Sequence, residues 1–150
     1  MADNADIRQR VEPILAQVRT EGDAALRRLT AQFDRVDLAD LIASEAEIAG
    51  AEDLLTDELK AAIQAAHRNI RTFHETQLQP PQPVETMPGV VCWRKSVPID
   101  RVGLYIPGGT APLFSTVLML GVPAQIAGCR EVVLCTPANR EGKVHPAILY

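Results

Sequence analysis

The segment that decides the fold is RVGLYIPGGTAP, at residues 101–112. Residues 102–106 are almost continuously apolar, a pattern typical of a strand buried in a parallel sheet. The glycines at 108 and 109 predict a tight loop, and Pro112 suits the first position of a helix, where an N–H donor would have no partner. Strand, glycine loop and helix in this order predict the start of a nucleotide-binding-like domain.

The residues that follow complete one unit of such a domain. An apolar helix is predicted to begin at Pro112. It runs through Leu113, Val117, Leu118 and Ile126, tolerates Gly121, bends at Pro123 and ends at Gly128. Residues 131–136 then form a second strand rich in valine and leucine. The strand, helix and strand between residues 102 and 136 predict a single βαβ unit with parallel strands.

The chain before residue 80 has the period of amphipathic helices. Two short apolar stripes, separated by Gly22, predict a helical hairpin, with Asp23 as the N-cap of the second helix. Ser44 with Glu47 three residues later forms a capping-box pattern. Thr56 precedes a long helical stripe that meets no breaker until Pro80. A helical N-terminal region is therefore expected.

Composition changes at the proline-rich stretch 80–83, which cannot continue a helix. Residues 84–87 and 90–97, joined by Pro88-Gly89, predict a short β-hairpin. We expect an α/β protein with a helical region at 1–79, a linker and hairpin at 80–100, and the first βαβ unit of an incomplete Rossmann-like domain at 101–150. Because an apolar helical pattern begins at Pro146 with no cap or further strand, we expect a truncated sequence.

The charge pattern argues against two classes of partner. The chain of 150 residues has 19 acidic and 15 basic side chains, mixed along the sequence, so no basic stripe is available for nucleic acid. The longest apolar run, at 117–122, is far short of the ~20 residues that cross a bilayer. The acidic N-terminus does not resemble a signal peptide. We expect a cytoplasmic protein with no membrane or nucleic-acid partner.

Histidines and cysteines are too scattered to predict a metal site. Cys92, Cys129 and Cys135 form no CxxC pair and are expected to be reduced and mostly buried, with Cys135 a weaker candidate for a reactive thiol at a strand end. His67 and His74 lie seven residues apart, about 10 Å along a helix axis, too far to share a metal without other ligands. His145 stands alone in a loop.

The strongest candidate for binding is the loop after the first parallel strand. Glycines at 108 and 109 let the backbone approach a ligand, and the following helix N-terminus favours an anion such as a nucleotide phosphate or a carboxylate. The alternative is a tight turn that needs glycine for its own geometry. The loop lacks the GxGxxG pattern, and Glu131 lies at the start of the second strand, where it cannot bind a ribose.

Three further side chains are candidates beside this loop. Tyr105, at the carboxyl end of its strand, could stack on a base or could be a residue at the edge of the core. Ser115 and Thr116 could face the same crevice. Neither hydroxyl has an evident neighbouring base, so hydrogen bonding to a substrate or within the helix is favoured over a nucleophilic role.

Several stretches resemble histidinol dehydrogenase. The longest are residues 101–120 (RVGLYIPGGTAPLFSTVLML), 122–129 (VPAQIAGC) and 132–135 (VVLC), and shorter ones are residues 22–26, 33–34, 70–74 and 88–90. The resemblance implies the N-terminal portion of an oxidoreductase of histidine biosynthesis. That enzyme oxidises L-histidinol through histidinal to L-histidine, with two NAD⁺ and a zinc ion.

The resemblance also implies where the chemistry lies. The counterpart of Tyr105 contacts NAD, and the loop of Pro107, Gly108 and Gly109 borders the active-site crevice together with the region of Ser115 and Thr116. The zinc ligands, and the Glu-His pair that transfers protons, belong to the part of the family's chain beyond Tyr150. We therefore expect no catalytic or metal-binding residue in this chain, which alone should be inactive.

The family is homodimeric, so a second subunit is a further expected partner. There is one alternative to a fragment of an enzyme. The chain could be a non-catalytic nucleotide-binding or interaction module derived from the same family.

Overall fold

The computed structural model describes residues 4–108 and 113–150, which form a mixed α/β structure. The N-terminal helices are followed by a hairpin. The hairpin is followed by two parallel strands, with one helix between them and a short helix after them. In chain order the elements are α1 (Asn4–Glu21), α2 (Asp23–Phe33), α3 (Glu45–Gly50), a 3-10 turn (Glu52–Leu54), α4 (Asp57–Glu75), β1 (Val84–Met87), β2 (Val90–Cys92), β3 (Arg101–Tyr105), α5 (Phe114–Ala127), β4 (Glu131–Cys135) and α6 (Pro146–Leu149).

The predicted helical hairpin is formed by α1 and α2, which pack on each other. The break lies at Gly22, as expected, but the N-cap of α2 was wrongly predicted. Gly22 occupies the cap position without a side-chain bond, and Asp23 is the first helical residue. At that position the carboxylate interacts with the helix dipole instead of accepting a capping hydrogen bond.

Local side-chain caps fix the starts of the next two helices. Ser44 Oγ accepts from the Glu47 backbone N–H at 3.2 Å, and Glu47 Oε2 accepts from the Ser44 backbone N–H at 2.9 Å, so the capping box before α3 is confirmed. Thr56 Oγ1 accepts from the Leu59 N–H at 3.2 Å at the start of α4. These bonds satisfy N–H groups that a helix leaves unpaired at its first turn.

The hairpin is antiparallel, with Val84 opposite Cys92. Its second strand is shorter than predicted, because it ends at Cys92 and not at residue 97. The register explains the difference, because Trp93, the residue after Cys92, would pair with Pro83, which has no N–H to donate to a ladder. Both strands are exposed along their whole length.

The predicted βαβ unit is confirmed. β3 and β4 are parallel in an unbroken register from Arg101 opposite Glu131 to Tyr105 opposite Cys135, and α5 connects them. α5 packs against β3 and α4. The strand was predicted to be buried on both faces, but only alternate residues, Leu104 and Ile106, are buried. The described helices therefore cover one face of β3.

The start of α5 differs slightly from the prediction. The helix begins at Phe114, within two residues of Pro112 as predicted; the role predicted for Pro112 as the first helical residue lies outside the described part of the chain. Leu113 is the N-cap, with a ψ of 53° that is not helical, so the helix cannot start earlier.

The helical region and the βαβ unit are in contact. α4 packs along α5, and Gln64 Nε2 on α4 donates to the Tyr150 hydroxyl at 2.8 Å, just beyond α6. The region boundaries at residues 79 and 100 stay predictions. Among residues 4–108 and 113–150, no helix is both long and apolar enough to cross a membrane.

Candidate functional site

The candidate site lies at the carboxyl edge of the parallel strands. Tyr105 and Cys135 are register partners at this edge, and the Ile106 N–H donates to the Cys135 carbonyl at 2.8 Å. The chain segments that leave the two strands line a cleft of about 620 Å³. In open α/β sheets this edge is where ligands bind.

Three of the predicted binding residues line this cleft: Tyr105, Pro107 and Gly108. The Tyr105 side chain is 62% exposed, so it is not a residue of the core. Its ring is therefore available for stacking on a planar group. The fourth predicted residue, Gly109, lies outside the described residues.

Gly108 has a packing role as well as a place in the cleft. A Cβ atom at this position would lie 3.0 Å from Pro137 Cγ and 3.3 Å from Pro137 Cβ. A side chain at residue 108 would therefore fit only if the Pro137 ring moved by a few tenths of an ångström. This close approach is a sufficient reason for glycine, and it leaves the ligand role of the loop as a prediction.

Ser115 and Thr116 occupy the first turn of α5, and neither lines the cleft beside Tyr105. Ser115 is exposed, whereas Thr116 is half-buried and its backbone N–H donates to the Leu113 carbonyl at 2.9 Å. Their proposed contact with a substrate crevice stays a prediction.

The cleft is also lined by side chains for which the sequence pattern predicted no role in binding. They are Phe33 and Asp34 at the end of α2, and Asn139, Arg140, Lys143 and His145 in the segment after β4. The asparagine and Gly142 are turn-forming residue types, but nothing in their spacing predicts that this turn faces Tyr105. The meeting of α2 with this edge depends on long-range packing.

Asn139 holds the turn from residue 139 to 143 in one conformation. Its Oδ1 accepts from the Lys143 N–H at 2.8 Å and from the Glu141 N–H at 3.1 Å. The backbone adds bonds from the Asn139 N–H to the Lys143 carbonyl at 2.8 Å and from the Gly142 N–H to the Asn139 carbonyl at 3.0 Å. Because these four bonds close a small ring, Arg140 is presented at the tip of a defined turn.

The N-terminal region supports the same turn from outside. Gly142 has a φ of 75°, and a Cβ there would lie 3.4 Å from Leu38 Cδ2 and 3.7 Å from Val36 Cγ1. The loop that contains these residues is fixed by Arg27, whose Nε and Nη2 donate to the Ala39 carbonyl at 3.2 and 3.0 Å. The helical region therefore braces one wall of the cleft.

The charges that line the cleft are mostly positive. Arg140 and Lys143 line the cleft together with a single described carboxylate, that of Asp34. His145 Nδ1 accepts from the Ala147 N–H at 3.2 Å, so in the neutral ring the proton is on Nε2, which can act as a donor. The cleft thus combines an exposed aromatic ring with a cationic wall, a combination suited to a nucleotide.

The described residues do not fit a zinc ion. Among residues 4–108 and 113–150, no group of three or more histidine, cysteine, aspartate or glutamate side chains could hold a metal. His67 and His74 are half-buried on α4, and the His74 Nδ1 lies 3.1 Å from Gln77 Oε1. A structural or catalytic zinc needs at least three protein ligands, so none can be assigned in the described part of the chain.

The predicted burial of the cysteines was wrong in two of three cases. Cys92 and Cys135 are exposed, and Cys129 is half-buried. Cys92 belongs to the exposed hairpin and Cys135 to the uncovered carboxyl edge of β4, so neither has a layer packed over it in the described chain.

Comparisons with known proteins agree on one family. The sequence model described as "Histidinol dehydrogenase" matches residues 1–150. A histidinol dehydrogenase of Bacteroides thetaiotaomicron is 59% identical over 140 residues, covering 93% of this chain and 33% of the relative. One of Xanthomonas axonopodis pv. citri is 55% identical over 145 residues, covering 97% of this chain and 34% of the relative.

A solved structure gives the same result. The crystal structure of histidinol dehydrogenase from Elizabethkingia anophelis superposes with a TM-score of 0.94 at 47% identity, covering all of this chain and 34% of that one. The chain therefore spans about a third of the length of the relatives it matches.

Proposed function

The chain belongs to the histidinol dehydrogenase family, and from this premise we propose that it supplies the N-terminal third of an NAD- and zinc-dependent oxidoreductase of histidine biosynthesis. The proposed reaction is the oxidation of L-histidinol to L-histidine in two steps, by way of histidinal. The first step removes a hydride and a proton from the alcohol. In the second step water adds to the aldehyde, and the hydrate loses a hydride and two protons to give the carboxylate, so two NAD⁺ accept the two hydrides.

The observation that carries the cofactor part of this proposal is the position of Tyr105. Its exposed ring stands at the carboxyl end of β3, inside the cleft that both post-strand loops line. We propose that the ring stacks on NAD and that the backbone at Pro107 and Gly108 borders the bound cofactor.

We propose that the remaining chemistry uses groups from outside the described residues. A hydroxyl proton must be accepted while the hydride leaves, and the described residues show no metal-binding cluster. We propose that the zinc ligands and the acid and base come from the other two thirds of the enzyme. We also propose that the enzyme is a cytoplasmic homodimer, with Ser115 and Thr116 near the substrate.

Because we place the zinc ligands and the catalytic acid and base outside this chain, we propose that the 150 residues alone are inactive. The second candidate is a non-catalytic nucleotide-binding or interaction module, and the cleft would serve it equally well. The two candidates differ in whether these residues support catalysis when the rest of the enzyme is present.

A chimaera tests the proposal directly. Residues 1–150 would replace the matching third of the Bacteroides thetaiotaomicron relative, which is 59% identical, so most interface contacts should be retained. We expect the chimaera to produce NADH from L-histidinol and to restore growth of a histidine auxotroph. The same chimaera with Tyr105→Ala and the isolated chain are the controls. A folded chimaera without activity would refute the enzymatic role and favour the module.

A further inference from the structure

We propose that Arg140 and Lys143 form a diphosphate-binding subsite in the cleft that Tyr105 also lines. This inference rests on the proposal that NAD binds in the cleft, and it adds the group that would neutralise the cofactor's charge. The chemical class recognised is a dinucleotide diphosphate. Both basic residues follow β4 and line the same cleft as the tyrosine.

The first support is the rigidity of the turn that holds the two side chains. The Asn139 side chain accepts two backbone hydrogen bonds within the turn, and Gly142 rests against Leu38. A turn that is already ordered before binding loses little conformational entropy when an anion arrives. The basic side chains are therefore carried by a preorganised backbone.

The second support is the balance of charge. No ion pair within 4.0 Å involves Arg140 or Lys143 among the residues that the structure describes. Asp34 is the single described carboxylate in the cleft. On the other side of the turn, Lys143 contributes weakly to lowering the pKa of Glu47. Arg140 therefore interacts less with carboxylates than Lys143 does. Its planar guanidinium group can donate to two phosphate oxygens at once.

The third support is that an aromatic side chain and cationic side chains line the same cleft. In a dinucleotide the diphosphate connects two nucleosides, so an aromatic surface and a cationic surface must lie within one ligand's reach. A cleft of about 620 Å³ lies within the usual range of small-molecule sites, roughly 300–1,000 Å³. Tyr105 and Arg140, which line the same cleft, supply these two surfaces.

The test titrates the 150-residue chain with NAD, with inorganic pyrophosphate and with adenosine, following backbone amide NMR signals. The test variant is Arg140→Gln with Lys143→Gln. The matched control is Arg94→Gln with Lys95→Gln, which removes the same charge from two exposed residues after the hairpin. Thermal unfolding of each variant verifies that the fold is retained.

We expect pyrophosphate and NAD to shift the signals of residues 139–143. Affinity for both should fall at least about tenfold in the test variant, as for the loss of one charge-assisted hydrogen bond. The control should stay within about twofold, and adenosine affinity should not change. Pyrophosphate that fails to bind, or that binds equally well to both variants, would overturn the inference.

The same experiment separates this inference from the proposed function. NAD binding that depends on Tyr105 but not on Arg140 and Lys143 would overturn the subsite and leave the cofactor role standing. Pyrophosphate binding that depends on the basic pair, without any NAD binding in the chain or in the chimaera, would support the anion subsite and contradict the proposed cofactor.

Discussion

A Cβ atom at Gly108 would lie 3.0 Å from Pro137 Cγ, so the loops that follow β3 and β4 are in contact through a glycine and a proline ring. Gly108→Ala should force these loops apart. Because the added methyl meets a rigid ring, we expect a loss of about 1–3 kcal/mol in the free energy of unfolding, measured by urea denaturation.

Gly103→Ala is the control for this change. Gly103 lies in β3, and a Cβ there would meet nothing within 4 Å. This substitution should be neutral or slightly stabilising, because it reduces the freedom of the unfolded chain. Equal destabilisation by both variants would show that the contact with Pro137 is not the cause.

The role of Tyr105 should appear in the kinetics of the active chimaera. Tyr105→Ala removes the stacking surface, so we expect the KM for NAD to rise about tenfold or more and kcat to fall less. Tyr105→Phe keeps the ring and should stay close to the parent. A fall in kcat with an unchanged KM would contradict a role in cofactor binding.

The Ser44 hydroxyl should contribute to stability through the cap of α3. Ser44→Ala leaves the Glu47 N–H without its acceptor, and we expect a loss of about 1 kcal/mol in the free energy of unfolding. Ser96→Ala, in an exposed segment after the hairpin, is the comparison and should change stability little. A cost equal to that of the control would mean that the cap bond is replaced by water.

Acid should weaken the same cap. Hydrogen bonds from the Ser44 backbone N–H and hydroxyl lower the pKa of Glu47 from its ordinary value of 4.5. A pKa that is lower in the folded state gives stability that is present above pH 4.5 and is lost as the pH falls through the lowered value. Glu47→Gln should remove this part of the pH dependence, while the similar contribution of Glu21 beside Arg28 remains. Unfolding curves of both proteins from pH 7 to pH 2.5 measure the difference.

The isolated chain should bind no stoichiometric zinc and should produce no NADH from L-histidinol, NAD and added zinc. The reason is that no group of metal ligands is found among the described residues, and that we place the catalytic acid and base in the other two thirds of the enzyme. Elemental analysis and absorbance at the NADH band measure the two outcomes. One chelator-resistant zinc per chain, or activity that survives repurification, would contradict the proposed division of labour.

Local patterns predicted the elements well because their causes are local. The capping box at Ser44 needs only Glu47, three residues away, and the order of strand, loop and helix around Tyr105 lies within one short segment. The error at Asp23 was also local, since a residue suited to a cap can equally begin a helix.

The second wall of the cleft was not predictable in this way. Arg140 lines the same cleft as Tyr105 because β4 is parallel to β3, but the turn is supported from outside by Leu38, more than a hundred residues earlier in the chain. Such a contact leaves no periodic signal in the sequence. For the same reason, the exposure of Cys135 depended on which layers cover the sheet, which no local pattern specifies.

The parallel register of β3 and β4 also has a consequence for synthesis on the ribosome. Arg101 pairs with Glu131, so the ribosome must add about 30 residues after the start of β3 before the first residue of its partner strand is synthesised. At roughly 5–20 residues per second, this interval is about 1.5–6 s. During that time the backbone edge of β3 has no partner strand. For most of it, Leu104 in β3 and Ile106 just after β3 also lack a complete α5 to pack against. A translational pause within α5 would lengthen this interval, and nascent chains would then depend more heavily on chaperones.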